Sequence, residues 1–336
     1  MKVGVFMATI QDIAKKACVS VATVSRVLNN KGNVTEKTRE KVEHAIKELN
    51  YQPSILGRNL RTSKSRLMLV LLPDISNPFY SEIIKGIQDT GMINHYHILL
   101  CETDAKLERE NIYLNMLKNK LADGMISMDP TINLEKLNEL AKTHPVIFCS
   151  EYEQDGVIPY VSIDSEMGAY EAVKHLISTG NQKIALINSE ERFLYARLRK
   201  AGYERALREF NLPIREEWIF HAKDLDFESG ECGMRQLLEL KDKPTAVFAV
   251  SDTLAIGAMK ALEVHHEQKM NPIAIIGFDN ISFSTMTNPT LSTIEQPMYQ
   301  MGVCAAEMLM KRMDGEEVKS VILDHKLVIR ESTFVE

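Results

Sequence analysis

The chain has 336 residues, 45% apolar and 26% charged, with a formal net charge of −6 at pH 7 and five cysteines. No apolar stretch is long enough to span a membrane, and Met1 to Phe6 is too short for a secretory leader. The cysteines are scattered with no Cys-x-x-Cys pair, which fits reduced thiols in a cytoplasmic protein.

In chain order, the first elements are three short helices, each opened by a hydroxyl residue. Thr9 precedes a run with Asp12 three positions on, a variant of the capping box, and Ile10, Ile13, Ala14 and Ala17 form the buried stripe to about Lys16. Cys18 and Val19 make a tight turn. Ser20 caps a second helix to about Asn29, with Val24, Val27 and Leu28 inward and Val21, Ala22, Ser25 and Arg26 on the other side. After Asn30 to Asn33, Thr35 caps a third helix whose Val42, Ala45, Ile46 and Leu49 complete a core before Asn50 and Pro53 stop it. Two helices, a tight turn and a bracing third make a helix-turn-helix.

Charge points to what such a head would meet. Residues 1 to 66 hold thirteen Lys and Arg against five Asp and Glu, a net of +8, which leaves −14 for the rest of the chain. A basic head on an acidic body is an electrostatic footprint for nucleic acid confined to one end. In helix-turn-helix docking the second helix enters the major groove, where the Arg26 guanidinium would read guanine O6 and N7 while Val21 and Ala22 offer apolar contact, for instance to a thymine methyl. Thr9, Ser20, Thr23, Ser25, Thr38 and Arg39 are candidates for phosphate contacts, which position the head without specifying sequence.

From Leu67 the period changes. Short apolar runs (67–72, 98–101, 124–128, 146–149, 161–163, 184–187, 246–250 and 273–276) alternate with helix-length segments (79–93, 108–118, 166–178, 198–210, 227–239 and 253–263). Strand, helix, strand at this cadence predicts an α/β body with parallel sheets covered on both faces, and its length favours two lobes over one open sheet. Ligands of such sheets collect beyond the carboxyl ends of strands. Phe79 and Tyr80 follow the first run and Ser150 and Glu151 the fourth. Phe193, Tyr195, Arg197 and Arg199 are placed in the loop after Ile187, Leu225 in a later loop, and Ser251, Asp252, Asp279 and Asn280 after the last two runs. Carboxylates, an arginine or two and aromatic faces suit a neutral polyhydroxylated molecule. Asp252 and Asp279 could equally cap the turns or helices that follow them.

Three runs, Ala8-Thr9-Ile10-Gln11-Asp12-Ile13-Ala14, Val19 through Asn29, and Tyr51-Gln52-Pro53-Ser54, closely resemble the DNA-binding head of the LacI/GalR family of bacterial transcription regulators. Pro73 to Tyr80, Pro244 to Phe248, Ser251-Asp252, Ile276 to Asn280 and Thr293 to Pro297 continue the resemblance through the body. Gly57-Arg58-Asn59 and the Pro73 to Gly86 segment are especially similar to a nucleoside-responsive repressor of that family. Members typically begin at the equivalent of Met7, so the six preceding residues read as an upstream start.

The resemblance implies three parts: a helix-turn-helix domain over 7–53, a hinge helix and linker over 54–66, and a periplasmic-binding-protein-like body over 67–336. Lobe 1 would hold 67–163 and 295–324, lobe 2 164–294 and 325–336, the chain crossing near Ile163, Ile294 and Asp324. Residues 54 to 61 are too few for a stable isolated helix and would order on DNA, where Leu60 would wedge into the minor groove with Arg61 beside it. Phe79, Ser150, Arg199, Asp252 and Asp279 fall on effector positions of related members. One departure weakens any hexose assignment: many sugar-binding members carry Asp where this chain has Ser150 followed by Glu151.

The function expected is a repressor that binds a near-palindromic operator as a dimer, under allosteric control by a sugar, polyol or nucleoside. One helix-turn-helix reads too few bases alone, and no leucine heptads follow to make a tetramer. The competing class is a cytosolic sugar binder, or a sugar-metabolising α/β enzyme, with an incidental helical appendage. No P-loop, dinucleotide fingerprint, nucleophile elbow or metal-ligand spacing supports catalysis, a cofactor or a metal, and His265-His266 reads as a solvated pair.

Overall fold

The computed structural model describes residues 8–28, 32, 34–51, 64–104, 106–129, 134–264 and 273–334. It divides into two compact units, Met1–Lys64 and Ser65–Glu336. Leu60, Arg61 and the His265-His266 pair lie outside the described residues.

The first unit is three helices, α1 (Ile10–Lys16), α2 (Val21–Leu28) and α3 (Glu36–Glu48). Thr9 closes a full capping box with Asp12: its hydroxyl accepts from the Asp12 amide while the carboxylate accepts from the Thr9 amide at 2.9 Å. Helix α1 then stops because Cys18 turns left-handed (φ 53°) and lets the Val19 amide reach back to the Ala14 carbonyl. Asn50 (φ 45°) ends α3 the same way, with Tyr51 bonded to Ile46. Ser20 caps α2 as expected, accepting from the Thr23 amide at 3.1 Å. Thr35 differs from expectation. It sits at the cap position of α3, but its hydroxyl pairs with the Thr38 hydroxyl and makes no side-chain bond to an amide. Ile13, Val24 and Val42 meet fully buried at the centre, and Lys16 and Glu48 join α1 to α3 at 2.9 Å.

The second unit opens where the Ser65 and Arg66 amides donate to the Asp123 carboxylate at 2.7 and 3.0 Å. Two sheets follow. Lobe 1 uses β1 (Leu67–Leu72), β2 (His97–Glu102), β3 (Gly124–Ser127), β4 (Val146–Cys149), β5 (Tyr160–Ile163) and, from late in the chain, β11 (Val321–Leu323). Its order is β11-β5-β4-β3-β1-β2, parallel throughout, with Val70 registered against Leu100 and Ile126. Lobe 2 uses β6 (Ile184–Asn188), β7 (Ile219–His221), β8 (Ala246–Ala249), β9 (Ala274–Asp279), β10 (Ser292–Glu295) and β12 (Lys326–Val328). The order is β12-β10-β9-β8-β6-β7, with only β12 antiparallel. The chain therefore changes sheet after β5, after β10 and after β11. Central strands such as Leu-Met-Leu-Val-Leu-Leu of β1 are apolar on both faces because helices cover both sides.

The body helices are α4 (Phe79–Ile93), α5 (Leu107–Lys118), α6 (Leu134–Ala141), α7 (Ser165–Ser178), α8 (Leu194–Glu209), α9 (Phe227–Glu239), α10 (Asp252–Val264) and α11 (Met298–Met313). Helices α6 and α11 and strands β7, β10, β11 and β12 had no counterpart among the periodic segments. Helix α11 returns from the second crossing and packs on α4 so closely that a Cβ at Gly302 would lie 2.0 Å from the Ile83 carbonyl oxygen. Helix α8 starts at Leu194, four residues earlier than its pattern indicated, so Tyr195 and Arg197 join Arg199 on the helix and do not stand in the loop after Ile187. The reason is a cap supplied from another lobe, described below. Among the described residues no helix is long and apolar enough to cross a membrane.

Candidate functional site

The exposed face of α2 carries three of the residues proposed to read bases. Val21 is 42% exposed, and Ala22 and Arg26 are exposed beside it, while Val24 and Val27 are buried beneath. An apolar side chain left in water at the first turn of a short helix has no role in the core. Of the proposed phosphate contacts, Thr9 and Ser20 are exposed and Thr23, Ser25, Thr38 and Arg39 are half-buried. The Thr9 proton is used locally, donated to Asp12 at 2.7 Å, and the Ser20 and Thr23 hydroxyls pair at 2.9 Å.

The body holds a cavity of about 310 Å³ beyond the carboxyl ends of strands from both sheets. Both lobes have the strand order in which such crevices form beside the first strand, where successive crossovers leave in opposite directions. From lobe 1 the wall includes Phe79 and Tyr80 after β1, and Ser150 and Glu151 after β4. Lobe 2 contributes Phe193, Arg199, Leu225 and Asp279. Asp252, the ninth residue expected there, is set back from the wall.

Arg199 is 5% exposed and lies flat on the Phe278 ring, 3.6 Å from guanidinium carbon to centroid, with Tyr195 5.2 Å away on another side. One terminal nitrogen donates to the Val250 carbonyl and approaches the Asp279 carboxylate at 3.5 Å. Its Nε is buried with no hydrogen-bond partner among the described residues, a donor held in reserve on a ring-stacked, immobilised group. Asp279 accepts from the Gln296 amide at 2.7 Å, and burial pushes its carboxyl up to about 6 although Arg199 and Gln296 pull it down. The backbone is left-handed at Ser150 (φ 70°) and Asp279 (φ 116°) on the cavity wall, and at Asn280 (φ 60°) next to it in the chain, costly conformations for non-glycine residues.

Glu151 is 5% exposed and accepts from the amides of Leu194 and, at 3.3 Å, Tyr195. Phe193, at the cap position of α8, has no oxygen to offer, so a lobe 1 carboxylate caps a lobe 2 helix. Burial pushes this carboxyl up to about 7, opposed by the two amides and then by Arg199 and Arg197. Asp252 is fully buried at the first residue of α10. One oxygen accepts from the Ile281 amide at 2.9 Å and the other from the Thr293 hydroxyl at 2.6 Å. Burial, and then the nearby Asp279 charge, raise it well above the usual carboxylate range. It ties the turn after β9 to β10, not the α10 terminus as a local cap would.

Seven of the twenty residues on the cavity wall are carboxylates and three are cationic. Such a wall repels anions and offers many acceptors to hydroxyl or amine donors. Wall residues that the sequence did not single out include Asp129, which accepts from the Thr103 hydroxyl at 2.8 Å, Ser189, bonded to the Tyr195 hydroxyl at 3.0 Å, and the charged Asp104, Arg192, Lys223, Asp224 and Asp226. The strand-end rule applied to the run 124–128 would have reached Asp129. Lys223 follows β7, a three-residue strand with no periodic signal.

Residues 9–54 match the family model described as bacterial regulatory proteins, lacI family, and residues 65–331 the one described as periplasmic binding proteins and sugar binding domain of LacI family. Catabolite control protein A of Priestia megaterium is 39% identical over 330 residues, covering 97% of this chain and 99% of that one. The HTH-type transcriptional repressor CytR of Escherichia coli K12 is 36% identical over 329 residues, covering 97% and 96%. Among solved structures, the lac repressor dimer bound to operator and the anti-inducer ONPF superposes with a TM-score of 0.86 at 27% identity, over 97% of this chain and 99% of that one.

Proposed function

The chain belongs to the LacI family of bacterial regulatory proteins, and from that premise we propose that this DNA-binding transcriptional regulator is a dimeric repressor governed by a small neutral metabolite. The observation that carries the reading is a cavity walled by both lobes of a body joined to a helix-turn-helix head. Val21, Ala22 and Arg26 read bases in the major groove of one half-site, and a second copy reads the other. Leu60 and Arg61 act at the minor groove between them. Exposed Leu99 and Leu100 on the edge strand β2 support pairing of two bodies.

The effector is a sugar, polyol or nucleoside. Its hydroxyls bond to Arg199, Asp279 and Ser150 while Phe79, Tyr80, Phe193 and Leu225 cover its apolar faces. Asp252 ties the turn after Asp279 to β10. The effector acts through its different affinity for two lobe arrangements, and no chemical step is required of it. The protein works in the cytoplasm, where the chromosome is.

A mobility-shift assay with Arg26→Ala tests the head. Binding should remain, weakened and salt-sensitive, while preference for the operator over unrelated duplex falls by about 1–3 kcal/mol; an unchanged preference would remove Arg26 from the reading. A thermal-shift panel of pentoses, hexoses, polyols and nucleosides tests the body, since a ligand at a hundred times its dissociation constant stabilises by about 2.7 kcal/mol. Silence across that panel would argue against a metabolite sensor.

A further inference from the structure

We propose that Glu151 is an interlobe latch: a carboxylate of lobe 1 that serves as the missing cap of a lobe 2 helix and so ties the lobes together across the cleft. Helix α8 runs sixteen residues, and its first amides have no local acceptor because Phe193 stands where a Ser, Asp or Asn would normally cap. The acceptor comes from 43 residues earlier in the chain, on the other side of the cavity.

The turn that presents it is built for the purpose. Ser150 is left-handed, its amide donates to the Val161 carbonyl at 2.8 Å, and its carbonyl accepts from the Ser162 hydroxyl at 2.8 Å, so β5 holds the residue that aims Glu151. Burial raises the Glu151 carboxyl to about 7, but the two amides at the positive end of α8 and then Arg199 and Arg197 oppose the rise and favour its charged form.

Opening the cleft must break both bonds and leave two amides and one carboxylate to water. The bond therefore belongs to one lobe arrangement only, which is what a group that sets the balance between arrangements requires. It also decides effector chemistry. A phosphate or carboxylate on a ligand would compete with Glu151 for the same amides, so an intact latch selects uncharged effectors. The consequence for DNA rests on the function proposed above, but the latch itself is read from lobe geometry. Its failure would leave the Arg26 mobility shift untouched.

The test uses the full chain and three variants. Glu151→Ala removes the latch, and Glu151→Gln keeps its volume without its charge. Leu194→Pro deletes one amide donor at the first helical residue, where proline is accommodated and the extended Phe193 (φ −81°, ψ 137°) suits a following proline. Scattering should give a larger radius of gyration for Glu151→Ala, with a Tm lower by about 3–8 °C. At matched ionic strength, acetate in place of chloride should recover part of both changes by filling the vacated amides, and leave the wild type unmoved. Leu194→Pro and Glu151→Gln should lie between. A Glu151→Ala protein with wild-type dimensions, or an acetate response equal in both proteins, overturns the latch. If Glu151→Ala does not fold, wild-type dimensions and Tm in both other variants overturn it.

Discussion

Replacing Asp252 separates a ligand-binding role from a bracing one. The carboxylate is wholly buried and bridges the Ile281 amide (2.9 Å) and the Thr293 hydroxyl (2.6 Å). In Asp252→Ala both donors lose a partner with no water to replace it, at about 1–3 kcal/mol each, so a loss of about 3–5 kcal/mol is expected once the small void is included. Asp252→Asn keeps the shape and an acceptor for Ile281 and should lose only about 1 kcal/mol. Trp218, the only tryptophan, is fully buried in lobe 2 and reports unfolding of that lobe by fluorescence in urea. The sign of the pH dependence follows from the raised carboxyl. The native state holds the proton to higher pH than the unfolded chain, so the contribution of Asp252 is greatest at low pH and fades as pH rises through its native pKa. The deficit of Asp252→Asn relative to wild type should therefore shrink between pH 5.5 and pH 8. An Asp252→Ala protein with a wild-type urea midpoint would refute the bracing role, and if it also failed to bind an effector found by thermal shift, Asp252 would be a ligand group instead.

Other consequences can be checked in the same assays. Arg199→Met should abolish stabilisation by any effector while non-specific DNA binding persists, and should destabilise the body by about 3–5 kcal/mol because Asp279 is left buried beside no cation. Gly302→Ala places a methyl 2.0 Å from a backbone oxygen, so α4 and α11 must part, lowering lobe 1 stability by about 1–3 kcal/mol in hydrogen exchange. Burial raises Glu151 to about 7 and Asp279 to about 6, so both take up protons on folding. Body stability should rise as pH falls from 8 toward the ordinary carboxylate range, with a smaller rise in Glu151→Gln; a wild-type curve flat over that window would contradict the burial of these groups.

The sequence by itself determined the elements whose cause is local. Thr9 and Asp12 are three residues apart and form their box inside one helical turn, and the inward stripe of Val24 and Val27 leaves Val21, Ala22 and Arg26 exposed whatever lies elsewhere. The alternation of buried strands and helices fixed the α/β class, because a strand apolar on both faces requires cover on both. Of the nine residues expected at strand ends eight lie on the cavity wall, since in parallel sheets that position depends on direction alone. Tertiary structure decided what depends on partners distant in the chain. Helix α8 begins at Leu194 because Glu151 caps it from 43 residues away, and Asp252 turns from the cavity because Thr293, 41 residues on, and Ile281 take its oxygens. Helix α11 does carry a stripe at helical spacing, Met298, Met301, Ala305 and Leu309, but its place against α4 is set by the glycine contact that only the fold brings together. A carboxylate's role depends on which donors reach it first, and those donors are brought near only when the sheets close.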